Sequence, residues 1–224
     1  MQTDGTREKG SDMGTEQMHG HGKNCKKVLL LLGPRFEDLE AVCALNVCGW
    51  TEYRQHLPRV KVEIAALEQH VCGRFGTHFN ADALVGDVAA DAYDGLIVPG
   101  GFRPEFDAIY NDGVFALVRS FSAARKPIAT MCVGSIVVAR AGALREKRAT
   151  TYEFSRHDNY AMLEAEGCTA VHEPVCDCHG IISCSGPAFS EQAMELFMEH
   201  LIGHEATAEL TRFRRGISAR EQGL

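Results

Sequence analysis

Lys126-Pro-Ile-Ala-Thr-Met-Cys132-Val-Gly-Ser135 reads as a buried strand that runs into a helix, with Cys132 at the joint. A side chain there sits at a helix N-terminus, where unpaired N–H groups and the helix dipole favour a thiolate. Gly134 and Ser135 are small enough for a tight turn and a closely packed helix. The segment is the thiol counterpart of the serine nucleophile elbow. It also implies the architecture, because strands that feed helices directly build parallel sheets.

Working outward, Tyr93-Asp-Gly-Leu-Ile-Val-Pro-Gly-Gly101 and Lys27-Val-Leu-Leu-Leu-Leu-Gly33 are apolar runs ending in glycine, the pattern of strands buried on both faces. Val60–Leu67 alternates as a strand, and residues 70–90 read as short strands and turns. Helices are expected over Glu37–Trp50, Pro104–Ala124, Val133–Ala143, Ser155–Glu166 and Ser190–His204. Val171–Cys184 reads as two strands around a turn at His179-Gly180. Alternating strands and helices predict an α/β fold with a mostly parallel sheet and helices on both faces. Sites in such sheets lie beyond the carboxyl ends of the strands. Gly33–Glu37, Gly100-Gly101 and Cys132 all fall there.

The chain has 224 residues, which predicts one domain over 25–205, a polar disordered tail over 1–24 and a C-terminal extension over 206–224. His19 and His21 read as part of a polar tail rather than a metal site. The extension carries Arg212, Arg214, Arg215 and Arg220. A net charge of −7 argues against a nucleic-acid binder and against an anionic membrane surface. The apolar run Val28–Leu32 is far short of the ~20 residues of a membrane helix, and the N-terminus lacks a signal-peptide core. The expectation is a cytoplasmic protein. Its nine cysteines are then reduced thiols, most of them buried as small hydrophobes.

Three groups surround the candidate nucleophile in this pattern. The N–H groups of Gly101 and Val133 could stabilise an oxyanion. Glu37, in the cluster Phe36-Glu-Asp-Leu-Glu40, could donate a hydrogen bond to the sulfur when protonated, and could carry protons. Each of these acids could equally be a helix-capping surface residue. His172, Cys176, Cys178 and His179 form a second cluster, but it lacks the distant pair of a zinc site, so no metal is assigned.

In order and spacing, Phe36–Glu40, Asp94–Gly101, Lys126–Gly134, Arg148-Ala-Thr-Thr-Tyr152 and Ile182-Ser-Cys-Ser-Gly-Pro187 resemble the ThiJ/PfpI superfamily over roughly Lys26 to Gly203. The resemblance implies a flavodoxin-like three-layer sandwich of the class I glutamine amidotransferase type, commonly a homodimer. It implies Cys132 as nucleophile, Glu37 as its carboxyl partner and Gly101 with Val133 as the oxyanion hole. Gly100, Tyr152, His157 and Pro187 would lie in or near the pocket, and residues around 50–58 and 102–112 would shape its entrance. No cofactor is implied. One departure matters: PfpI-type proteases carry histidine directly after the cysteine, and this chain has Val133, which takes no proton. Tyr152 stands where the family's deglycase has a histidine. His157 and Asp158 could approach the site or form a helix-surface pair.

A Cys–Glu site without histidine suits a glutathione-independent glyoxalase or deglycase acting on methylglyoxal or related carbonyl adducts. The alternative is a non-catalytic redox-sensing stress protein or chaperone, in which Cys132 is the most oxidisable thiol. A cysteine hydrolase or isonitrile hydratase-like enzyme ranks below these. The expected partner is a small carbonyl substrate, with neither nucleic acid nor membrane.

Overall fold

The computed structural model describes residues 25–216; the expected tail, with His19 and His21, and the stretch from 217 lie outside the described residues. The chain opens with β1 (Cys25–Leu32), α1 (Asp38–Gly49) and β2 (Arg59–Ala66). A small hairpin of β3 (His70–Cys72) and β4 (His78–Asn80) precedes β5 (Ala83–Leu84) and β6 (Gly95–Val98). Next come α2 (Asp112–Ala123), β7 (Ile128–Met131), α3 (Gly134–Arg140), β8 (Arg148–Ala149), α4 (Asn159–Ala165) and β9 (Thr169–Ala170). The chain continues through β10 (Val175–Cys178), β11 (Ile181–Cys184), α5 (Ser190–Ile202) and α6 (His204–Arg214).

The main sheet has the order β10-β11-β7-β6-β1-β2-β5. Every neighbouring pair is parallel except β10–β11, a hairpin that turns at His179-Gly180. The apolar run of β1 explains its interior place, between β6 and β2. Val28, Leu30 and Leu32 face one layer and Leu29 and Leu31 the other, all with no exposure. On the first face lie α1 and α5, through Ala41, Ala44, Val47, Phe197 and Met198. On the second lie α2, α3 and α4, through Val114, Val118, Phe121, Ile136 and Leu163. The result is the expected three-layer α/β sandwich. Among the described residues no helix is long and apolar enough to cross a membrane.

Three departures from the sequence pattern have local causes. The helix expected over 104–124 is broken into a 3-10 turn, Glu105–Ile109, and α2, because Asn111 caps α2 by accepting the Val114 N–H at 3.1 Å. The helix expected from Ser155 begins at Asn159, where Asp158 accepts the Ala161 N–H at 2.9 Å. In the arginine-rich extension, α6 packs on the first face with Leu210 buried beneath it.

Candidate active site

Cys132 follows β7 directly, with φ +51°, in the left-handed region that costs an L-residue roughly 1–2 kcal/mol. Hydrogen bonds hold it there on either side. Its N–H donates to Cys184 O at 2.9 Å, and its carbonyl accepts from Thr151 Oγ1 at 2.9 Å. Two glycines make room. A Cβ on Gly134 would stand 2.4 Å from Val98 O, and one on Gly100 would stand 2.7 Å from Cys132 Cβ. Strand-end glycines here therefore let β6, β7 and the start of α3 converge on the thiol.

The first strand–helix turn delivers two carboxyl groups. Glu37 is the N-cap of α1, its Oε2 accepting the Glu40 N–H at 2.8 Å. Glu40 lies one turn on, fully buried, with Oε2 accepting the Gly100 N–H at 2.7 Å. Its Oε1 has no hydrogen-bond partner. Burial pushes the Glu40 carboxyl up to about 8, against the Gly100 N–H that lowers it, so it is protonated at neutral pH. Burial also raises Glu37. Both acids belong to the cluster singled out in the sequence, but Glu40 is the one that pattern left unassigned. The signal was its i+3 spacing from Glu37, which puts the two on one helix face.

Burial pushes the Cys132 thiol well above its ordinary value, contrary to the thiolate expected from the helix N-terminus. The Glu40 charge raises it further, with Glu37 a smaller contributor, and the Val133 N–H lowers it. Gly101 is the second candidate oxyanion donor. It bridges Phe36 through flanking bonds from Glu37 N to Gly100 O and from Phe102 N to Arg35 O, both at 2.9 Å. Its own N–H meets no acceptor among the described residues.

Cys132, Val133, Gly101 and Glu37 border a cavity of about 440 Å³. Tyr152, His157 and Pro187 line it as well, while Gly100 backs it through Cys132. Phe102 and Arg103, from the stretch 102–112 expected to shape the entrance, line it too, whereas Phe75, Phe154 and Arg156 are missing from the sequence pattern. Asn159 also lines it, donating to Tyr152 O at 2.7 Å and leaving its buried Oδ1 unpartnered. These residues come from segments far apart in the chain, which no local motif joins. Asp158 caps α4 instead of reaching the thiol.

Residues 50–58 do not shape this entrance. Arg54 and His56 pair with Glu209 of α6, and Trp50 meets Phe213 edge-on at 5.7 Å. All nine cysteines are free thiols, five of them buried. Among the described residues no three His, Cys, Asp or Glu side chains gather as a metal-ligand set, those of Cys176, Cys178 and His179 included.

The sequence model of the DJ-1/PfpI family matches residues 26–201. The chain is 29% identical over 140 residues to protein DJ-1 homolog D of Arabidopsis thaliana, covering 58% of this chain and 36% of that protein. It is 30% identical over 133 residues to deglycase PfpI of Pyrococcus furiosus, covering 59% of this chain and 75% of that one. Among solved structures, Drosophila melanogaster DJ-1beta superposes with a TM-score of 0.71 at 23% identity, over 85% of this chain and 98% of that one.

Proposed function

From a chain that belongs to the DJ-1/PfpI family, we propose a glutathione-independent glyoxalase or deglycase that uses Cys132 on reactive carbonyls such as methylglyoxal or its adducts. The observation that carries this reading is a strained cysteine facing a cavity beside a buried carboxyl whose Oε1 is unpaired. Glu40 and Cys132 form a coupled pair. When the pair has lost one proton, the other is shared, and the state with a thiolate and a protonated carboxyl is stabilised by the Val133 N–H.

In this scheme the sulfur adds to the aldehyde carbon of a 2-oxoaldehyde. The C=O electron pair moves onto oxygen, which the N–H groups of Gly101 and Val133 stabilise until it is protonated. Glu37, at the cavity wall, takes the proton from C1 of the hemithioacetal, and a proton returns at C2. C1 is thereby oxidised and C2 reduced, leaving a thioester of a 2-hydroxy acid without an external oxidant. Water cleaves the thioester, releasing the hydroxy acid and restoring the thiol. Val133 offers no base for peptide hydrolysis, which weighs against a protease.

The test is methylglyoxal consumption without glutathione, in wild type beside Cys132→Ser, Glu40→Gln and Glu37→Gln. Turnover is expected to vanish in Cys132→Ser and to fall by about 10²-fold or more in each glutamine variant. Undiminished turnover in Cys132→Ser would sink the mechanism.

A further inference from the structure

Four aromatic side chains stay exposed around one opening. Phe75 is 71% exposed, Phe154 43%, Tyr152 40% and Phe102 36%, and all four border the cavity that Cys132 faces. Rings left in water forfeit the burial that stabilises a fold. Grouped apolar surface of this kind marks a place where another molecule binds.

The rings fall into two groups from separate parts of the chain. Phe75, in the β3–β4 turn, meets Phe102, beyond β6, edge-on with 5.3 Å between ring centres. Tyr152 and Phe154, between β8 and α4, lie 6.2 Å apart, and Phe154 lies 5.9 Å from the His157 ring. Among the described residues no ring of the first group pairs with a ring of the second, and the cavity borders both. Each group is anchored through its backbone. Asp38 accepts the Phe75 N–H at 2.9 Å, Arg35 O accepts the Phe102 N–H at 2.9 Å, and Tyr152 O accepts from Asn159 Nδ2 at 2.7 Å. The two aromatic walls are thus set before any ligand arrives, which lowers the ordering cost of binding.

The space they border, about 440 Å³, is the size of a pocket that takes a whole small ligand. A three-carbon aldehyde leaves most of it to water and does not reach both walls. Charge narrows the choice of a larger substrate. Arg103 and Arg156 line the same cavity. A cationic tail, such as an adduct carried on a lysine-rich peptide, meets like charge there, whereas a neutral ring offers a guanidinium its π face.

We propose, resting on the carbonyl reading above, that the cavity selects 2-oxoaldehydes bearing an aromatic ring, held between Phe75–Phe102 and Tyr152–Phe154 while the aldehyde carbon meets the Cys132 sulfur. With phenylglyoxal the S–C bond forms and the aldehyde C=O pair moves onto oxygen. C1 then gives up its proton and C2 gains one, leaving the thioester of mandelic acid. Water adds to that carbonyl, the S–C bond breaks, the sulfur regains its proton and mandelate leaves. No external oxidant is needed.

The experiment has two arms. In the first, kcat/KM for phenylglyoxal and for methylglyoxal is measured without glutathione in wild type, Phe75→Ala and Phe154→Ala. Both rings are exposed, so the core survives their removal. The ratio of phenylglyoxal to methylglyoxal is expected to fall by about 3–10-fold in each variant. In the second, calorimetry titrates racemic mandelate and lactate into Cys132→Ser, and mandelate is expected to bind about 10-fold more tightly. A ratio unchanged in both variants, or equal binding of the two acids, overturns the proposal. An unchanged ratio together with subunits that separate in sedimentation assigns the rings to a contact between copies of the chain instead. If wild type turns over neither aldehyde, the carbonyl reading fails, and the calorimetry still decides whether the aromatic walls select a ring.

Discussion

Glu40 and Cys132 share one problem, the cost of a charge in a site closed to water. With the carboxyl at about 8, the pair keeps both protons at neutral pH and loses one as the pH rises. The reactive thiolate is drawn from that singly protonated state. Carbonyl turnover is therefore expected to climb through an apparent pKa near 8 and then level, while Glu40→Gln loses this limb; a pH profile of kcat/KM in the two proteins checks it. The same shift has a consequence for stability. The folded carboxyl binds its proton more tightly than the unfolded one, whose ordinary value is 4.5. Glu40 therefore contributes most below 4.5, its contribution falls by roughly 1.4 kcal/mol per pH unit as the pH rises to about 8, and then it stays flat. Glu40→Gln should raise the melting temperature at pH 8 more than at pH 5. The sequence singled out the acid cluster 37–40 and the cysteine, because position at a strand end is a local property. It could not rank Glu37 against Glu40, because their burial is decided by Gly100 and β7, which arrive from elsewhere in the chain.

At the scale of elements, the site depends on how closely the ends of β6 and β7 and the start of α3 approach one another. Gly134 carries this constraint, since an added Cβ meets the backbone carbonyl of Val98 at 2.4 Å and backbone has little freedom to yield. Gly134→Ala is expected to cost ~1–3 kcal/mol, read as a lower denaturant midpoint, and to slow alkylation or turnover at Cys132 by shifting the elbow. The strands and the elbow were legible because apolar runs ending in glycine leave few alternatives. Helix limits were less so. The apolar positions from Phe106 to Phe121 fit one continuous period, yet the Asn111 side chain wins the Val114 N–H and starts the helix afresh. A short polar side chain competing for backbone donors does not disturb hydrophobic periodicity, and so it hides from it.

Across the whole molecule, two apolar layers on either side of the unexposed run Val28–Leu32 of β1 hold the strand ends in place. The outermost piece is α6, in the extension whose arginines masked its one buried leucine. Arg214 and Arg215 bind Glu191 and Glu195 of α5, while Leu210 seals the seam. Leu210→Ala is expected to cost ~2–5 kcal/mol, measured by chemical denaturation, with carbonyl turnover at low temperature unchanged because the cavity lies elsewhere.

The contact between α6 and the turn at Trp50–Tyr53 also has an optical side. Trp50 is the only tryptophan in the chain, and it lies between the rings of Tyr53 and Phe213, the latter near the end of α6. Its emission is a built-in gauge of whether the last helix is docked. A red shift that precedes the loss of far-ultraviolet ellipticity during unfolding would mean that the C-terminal helix peels away before the sandwich opens.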